Sequence, residues 1–351
     1  MLTSGPGRCF PENPQRILIV HHLLLGDTLM LTPLLAKLQR NHPGAEVVMT
    51  IPRAIAPLYA GRPYGVEVLP YDPRDVSTLR VLLRQPGFDL ALVPGDNRFS
   101  WLARALGSRW VVAFAGDIPE WKNWPVDQLL PYPESPAAWG DMVAGLAAGA
   151  EPPSYQAVDW PAPAFALFDL PLQPYCVLHV GASSSLKMWA PEKWLALAEQ
   201  LVKRGYQPVW SGGQGEDKLV SRIDTDGKYA SFAGKLDLPQ LWHLLSHASL
   251  LVCPDTGVAH LGRLTGTPTV TLFGPGSAVI CGKGDFWRES PYRAVTTEIA
   301  CRDQDVLFRR HIGWVRRCGR SSGECAAPRC MEAIGVETVL EAVDQLIEVR
   351  A

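Results

Sequence analysis

The sequence predicts an α/β protein made of two doubly wound domains in tandem. Three observations carry that expectation. Short β-rich runs alternate with helical periods, the rhythm is broken once by a proline-rich passage, and it then starts again. Strands that alternate with helices imply a parallel sheet covered on both faces.

The first half opens with the run Arg16–Val20, RILIV, followed by Gly26-Asp27 and the stretch TLMLTPLLAKLQR. In that stretch Leu31, Leu34, Leu35 and Leu38 fall on one helical face. AEVVMTI, VEVLPY and DLALVP supply further strands, with helical segments around Val76–Leu83 and Trp101–Leu106. Six prolines, from Pro152 to Pro174, suit an interdomain linker. The alternation resumes with YCVLHVG, PEKWLALAEQLVKRG, QPVWSGG, LPQLWHLLSHA, SLLVCPD and TPTVTLFG. GVETVLEAVDQLIEVR closes the chain as an amphipathic helix. The expected organisation is an arm over 1–15, a first domain over 16–150, a linker over 151–174, a second domain over 175–334 and a terminal helix over 335–351.

Composition narrows the function classes. The chain has 351 residues, 47% hydrophobic and 19% charged, enough to bury two ordinary cores. A net charge of -2 gives no general case for nucleic-acid binding. No apolar run approaches the roughly 18 residues of a membrane span, and the opening lacks a secretory signal, so the expected address is the cytoplasm. Cys176 and Cys253 lie in apolar runs and read as small core residues.

Ligands of doubly wound sheets bind beyond the carboxyl ends of the strands. Five loops occupy such positions: Leu23–Asp27, Gly181–Lys187, Ser211–Gly215, Pro254–His260 and Gly274–Gly276. A cleft between two facing domains would gather them. Asp255-Thr256-Gly257 enters the helical stretch GVAHLGRL, a helix start that can hold phosphate through free N–H groups, with His260 within reach of the same anion. A plain helix cap explains the same residues without a ligand. Lys187, in the hydroxyl-rich GASSSLKMW loop, is either a phosphate counter-charge or a solvated lysine. Gly212 and Gly213 suit the close approach of a ligand. Asp27 reads as a helix cap or as a general base on a glycine-flexed loop. A carboxylate in one half and anion-holding groups in the other suit transfer from a nucleotide-activated donor.

Three segments together, ILIVHHLLLGDTLMLTPLLAKL, HVGASSSLKMWAPEKWLALAEQL and VCPDTGVAHLGRLTGTPTVTLFGP, resemble glycosyltransferase family 9, the ADP-heptose:lipopolysaccharide heptosyltransferases. The resemblance implies a GT-B fold, with two Rossmann-like domains facing a central cleft. It implies an ADP-sugar co-substrate, inversion at the transferred carbon and no catalytic metal. Asp27 matches the family's catalytic base, Lys187 its phosphate-binding lysine, and Asp255, Thr256, Gly257 and His260 its donor loop, with Ser183 and Ser184 in the hydroxyl-bearing loop. The implied partners are ADP-heptose and the lipopolysaccharide core or lipid A acceptor, with peripheral contact at the cytoplasmic face of the inner membrane and no nucleic acid. The chain departs from the family at His21 and His22, and at Arg263, which is expected to project from the donor-site helix and affect substrate choice.

The C-terminal part is rich in arginine and cysteine. Arg302, Arg309 and Arg310 read as an acceptor patch or as ordinary solvated charge, and Trp287 and Trp314 as an interfacial foothold or as core residues. Cys301, Cys318, Cys325 and Cys330, with gaps of 17, 7 and 5 positions, are candidate thiolate ligands for a structural zinc or iron. Transfer of another sugar, transfer to a protein hydroxyl, and a non-catalytic nucleotide-sugar-binding protein stand as alternatives. A dinucleotide-linked dehydrogenase is disfavoured, because HHLLLGD stands where Gly-x-Gly-x-x-Gly would follow the first strand.

Overall fold

The computed structural model describes residues 9–171 and 174–348. It contains two compact units. The first comprises the chain up to Pro163 together with Gly284–Phe286 and Asp305–Val315. The second comprises Ala164–Lys283, Trp287–Gln304 and the chain from Arg316 onward.

In the first unit the strands are β1 (Arg16–Ile19), β2 (Glu46–Ile51), β3 (Glu67–Pro70), β4 (Leu90–Val93), β5 (Trp110–Phe114) and β6 (Gln128–Leu130). They form one sheet in the order β3-β2-β1-β4-β5-β6, with every pairing parallel. Ile17 of β1 lies between Val47 and Leu90. Leu18, Val48, Ala91, Val93 and Val111 face a core closed by Leu82, Phe88 and Ala103. The apolar face read from the sequence is buried through Leu31, Leu34, Leu35 and Leu38 on the helix Thr32–Asn41 and the turn before it.

The second unit repeats the plan with β7 (Tyr175–His179), β8 (Gln207–Ser211), β9 (Ala230–Ser231), β10 (Leu250–Pro254), β11 (Thr269–Phe273) and β12 (Tyr292–Thr296). The order is β12-β11-β10-β7-β8-β9, again all parallel. Counted from each unit's own first strand, both orders are 3-2-1-4-5-6, the dinucleotide-fold order whose topological switch lies between strands 1 and 4. The terminal helix Val336–Glu348 places Val339, Ala342, Val343 and Leu346 in this unit's core. Cys176 and Cys253 are fully buried there, and burial pushes each thiol up to about 12.

Within the two six-stranded sheets, the strands absent from the sequence reading are β5, β6, β9 and β12. β6 and β9 are short edge strands with little buried surface, so no periodicity marks them. β12 carries a half-buried YRAVT pattern beyond the last apolar run. The proline-rich passage is also not slack throughout: Tyr155 and Trp160 are buried, and Trp160 donates its indole N–H to Leu58 O at 3.1 Å.

Two late segments are fastened to the first unit by buried charge. Asp141 accepts from the backbone N–H groups of Asp285 at 2.7 Å and Phe286 at 3.1 Å, and its burial raises the carboxyl pKa. Asp305–Val315 carries a two-stranded hairpin, β13 (Val306–Leu307) and β14 (Arg310–His311), joined by Phe308 and Arg309. Both turn residues have positive φ, 46° and 65°, so this tight turn uses a conformation that favours Asn-Gly. Arg310 holds it. Its guanidinium donates to Ala115 O at 2.9 Å, Gly95 O at 3.1 Å, Phe308 O at 3.0 Å and Asn97 Oδ1 at 2.7 Å. It also pairs with Asp117, which is buried and binds Lys122 at 3.1 Å. Phe308 packs against Trp139 with ring centroids 4.9 Å apart.

Removing one partner of a buried charge network leaves the others unpaired, at a cost of several kcal/mol. Arg310→Leu is therefore expected to lower stability by about 3 kcal/mol. A fall in the urea midpoint at unchanged slope would match this; an unchanged midpoint would show that the network contributes nothing net.

Candidate active site

The switch point of each sheet, where neighbouring crossovers run in opposite directions, opens a crevice at the strand carboxyl ends. In the second unit the crevice lies between β7 and β10, and Lys187 and Asp255 stand on its two sides. Lys187 Nζ is 2.8 Å from Asp255 O and 2.9 Å from Asp255 Oδ2. An ammonium has three donors, so one stays available for a ligand oxygen. Asp255 is buried, and a side chain at Gly276 would collide with its carboxylate. The Gly274–Gly276 turn therefore has to carry glycine where it covers Asp255.

Thr256 occupies the N-cap position of the helix Gly257–Leu264, in extended conformation, but its side chain makes no cap bond. Its hydroxyl is buried without a hydrogen-bond partner among the described residues. The first-turn N–H groups of any helix also lack partners inside the helix. The simple capping explanation of Thr256 therefore fails, and a polar ligand would satisfy these groups together.

His260 lies one turn along, buried. Its Nδ1 accepts from Arg263 Nη2, so the neutral ring carries its proton on Nε2. Burial first, then the charges of Arg263 and Lys187, hold its pKa well below the ordinary value. Arg263 does not project from the helix as the sequence suggested. It is buried, donates to Gly282 O at 2.5 Å and Cys281 O at 3.1 Å, and lies over the rings of Tyr292 and Trp287. Of the two readings open for Trp287, interfacial foothold or core, the structure gives the core.

The glycine-rich turn after β8 has a role that the sequence left undefined. Glu216 folds its carboxylate back over this turn, accepting from Gly213 N–H. A side chain at Gly181 would overlap that carboxylate, and one at Gly212 would lie 3.1 Å from Glu216 Cβ. The glycines at 181, 212 and 213 thus make room for Glu216, which the sequence reading missed. A Gly-x-x-Glu spacing after a strand was the available signal. Ser184 is committed to Leu186 N–H at 3.3 Å, and Ser183 is exposed.

In the first unit Asp27 sits in the short helix Leu25–Leu29, beyond β1, and is partly exposed. Leu24, not Asp27, is the cap residue, and no side-chain cap bond forms there. Behind it His21 is fully buried, with Nδ1 accepting from Leu23 N–H at 3.1 Å. Leu23 reaches across the β1–β4 switch point: a side chain at Gly95 would lie 3.2 Å from it.

Two expectations for the C-terminal part change. Arg302 is spent on the carbonyls of Phe273, Gly274 and Thr297, and Arg310 on those of the first unit, so neither offers a free guanidinium to an acceptor; Arg309 is exposed. The carbonyl oxygens freed by turns outcompete solvent for a buried arginine. The four cysteines Cys301, Cys318, Cys325 and Cys330 are free thiols. Among the described residues no three His, Cys, Asp or Glu side chains converge to hold a metal. Cys330 faces the core beside Gly274, whereas Cys325 sits in a turn by Ala327 O. This donor set does not fit a zinc or iron centre.

Residues 78–300 match the profile of Glycosyltransferase family 9 (heptosyltransferase). The chain belongs to that family. It is a glycosyltransferase of the GT-B fold. It is 26% identical over 290 residues to lipopolysaccharide heptosyltransferase 1 of Pseudomonas aeruginosa, covering 74% of this chain and 79% of the relative. It is equally identical, 26% over 293 residues, to lipopolysaccharide heptosyltransferase 3 of Escherichia coli K12, covering 75% and 82%. The solved E. coli ADP-heptose lps heptosyltransferase II superposes with a TM-score of 0.70 at 19% identity, covering 96% of this chain and all of that one. Among the described residues of this family 9 protein, no helix is long and apolar enough to cross a membrane.

Its buried histidines predict a pH dependence. Burial lowers His21 from 6.5 to about 3 and His179 from 6.5 to about 4. The unfolded chain binds these protons below about pH 6.5 and the native one does not. Stability is therefore fully present above pH 6.5 and lost as pH falls toward 4, by about 1.4 kcal/mol per pH unit for each histidine. Urea midpoints between about pH 7 and pH 5 should drop, with a shallower slope in His179→Gln. Equal slopes in the two proteins would contradict a neutral buried His179.

Proposed function

We propose that the protein transfers heptose from ADP-heptose to a lipopolysaccharide inner-core acceptor, with inversion and with Asp27 as the base. The observation that carries this reading is the second unit's switch point. There a lysine held by Asp255 keeps one donor available, beside the unpartnered hydroxyl of Thr256 at a helix N-terminus. A diphosphate fits that donor set. Glu216, past the glycine turn after β8, offers a carboxylate that accepts hydrogen bonds from ribose hydroxyls, the task an acidic residue has in related nucleotide folds.

In the reaction the acceptor hydroxyl gives its proton to Asp27 as its oxygen bonds to the anomeric carbon. The bond from that carbon to the β-phosphate oxygen breaks, and its electron pair leaves on ADP. Lys187 and the first-turn N–H groups meet that charge as it grows. His260, held neutral by burial and then by Arg263, offers an N–H to the same region without adding a competing cation. The transition state has oxocarbenium character. Heptose transfer is the activity that the two named relatives, a heptosyltransferase 1 and a heptosyltransferase 3, have in common. A glycolipid acceptor puts the work at the cytoplasmic face of the inner membrane.

Lys187→Ala is expected to weaken ADP binding by about tenfold or more, read by isothermal titration against UDP and GDP. Equal affinity for the three nucleotides would favour another sugar donor. Asp27→Asn is expected to lower kcat by about 10²–10⁴ with ADP affinity unchanged. Full turnover in that variant would remove Asp27 from the mechanism; tight ADP binding by a wild type that transfers nothing would favour the non-catalytic binder.

A further inference from the structure

A concavity of about 790 Å³ lies in the first unit, lined by the loops after β5 and β6 and by the hairpin segment. We infer that this concavity is a subsite for a neutral sugar residue of the acceptor glycan, one or two rings away from the hydroxyl that reacts. The inference rests on the acceptor being a glycan, as proposed above, and adds where its distal part is held.

Position is the first argument. Ala115 and Gly116 follow β5, and Tyr132, Pro133 and Glu134 follow β6, so this wall stands at the same carboxyl edge of the sheet as Asp27 beyond β1. β5 is two strands from β1 in the order β1-β4-β5, a lateral distance of about 10 Å. The ground between is continuous. A side chain at Gly95 would lie 3.2 Å from Leu23, on the Asp27 loop, and 3.9 Å from Phe308, in the hairpin turn.

Chemistry is the second. Trp314 is a half-buried aromatic ring, the kind of surface on which the apolar face of a pyranose ring stacks, and Tyr132, covered by Phe114 and Arg310, backs the wall. The exposed Glu134 carboxylate and His311 supply hydrogen-bonding partners for hydroxyls. Among the described residues Arg310 is the one permanent cation in the lining, and its donors already serve Ala115, Gly95, Asn97 and Asp117. A phosphate or carboxylate would thus find no free counter-charge, which selects a neutral residue.

The third argument is that the site is built. Trp314 is fixed by its indole N–H, which donates to Pro133 O at 2.8 Å. Tyr132 stacks on Phe114, with centroids 4.1 Å apart. The hairpin behind them keeps two consecutive left-handed residues, a conformation that persists only where the surroundings impose it, and commonly at ligand sites.

The test is isothermal titration of the full-length protein with a deacylated lipopolysaccharide core oligosaccharide. Trp314→Ala should weaken its affinity about tenfold and Glu134→Ala a fewfold, with Trp314→Phe retaining most of it. ADP affinity, a property of the second unit, should stay within about twofold and report that the variants are folded. Oligosaccharide affinity that is unchanged in Trp314→Ala and Glu134→Ala overturns the subsite, as does no binding by the wild type. Heptose transfer and ADP selectivity test the proposed function separately. Transfer with an unaltered KM in Trp314→Ala removes the subsite alone. Trp314-dependent binding without any transfer removes the catalytic reading alone.

Discussion

A parallel sheet with its first crossover reversed has one place where neighbouring loops part, and this chain builds it twice. The consequence is physical. Strands that all run one way bring every carboxyl-end loop to one edge, and the reversal leaves a gap there that side chains or ligands must fill. In the second unit the gap is spanned by Lys187 and Asp255, which come from loops 68 positions apart. In the first unit Leu23 crosses the equivalent gap to Gly95, which carries the Asp27 loop with it. Glycines at 181 and 276 follow from this crowding, since a side chain there would overlap a carboxylate from a neighbouring loop, and those at 95 and 212 stand where one would be tightly packed.

Arginine is the second structural currency of the molecule. Arg263, Arg302 and Arg310 each direct several donors at backbone carbonyls that turns have left unpaired. An unpaired buried carbonyl costs more than a hydrogen bond gains, so a buried guanidinium that satisfies several is retained despite its desolvation. Arg263 also sets a tautomer, since a permanent donor meets His260 Nδ1, and its charge adds to burial in keeping the ring neutral. The start of the helix Gly257–Leu264 then presents N–H groups rather than a second positive charge beside Lys187.

The hairpin Asp305–Val315 shows how a late segment joins an early fold. It belongs to the first unit by its contacts although all six strands of the second unit's sheet precede it in sequence. A buried Asp117, satisfied by Lys122 and Arg310, fixes where it lands. Rigid attachment makes the loops after β5 and β6 into a wall with two sides rather than an open sheet edge.

Much of this was legible in the amino-acid order. The alternation of apolar runs and helical periods determined two doubly wound halves, because local periodicity is what forms a strand or a helix before any tertiary contact exists. Asp27, Lys187 and the Asp255–His260 run were readable too, since strand-end positions follow from the strands. Fate after folding was not. Arg263 was expected to project from its helix and is buried; Arg302 and Arg310 read as acceptor contacts or solvated charge and are bound to carbonyls instead. The four late cysteines were expected as a set and do not converge. Glu216 stayed hidden because its position depends on glycines contributed by two strands. Whether a long polar side chain reaches solvent or a buried partner depends on residues tens to hundreds of positions away, so only the tertiary structure decides it.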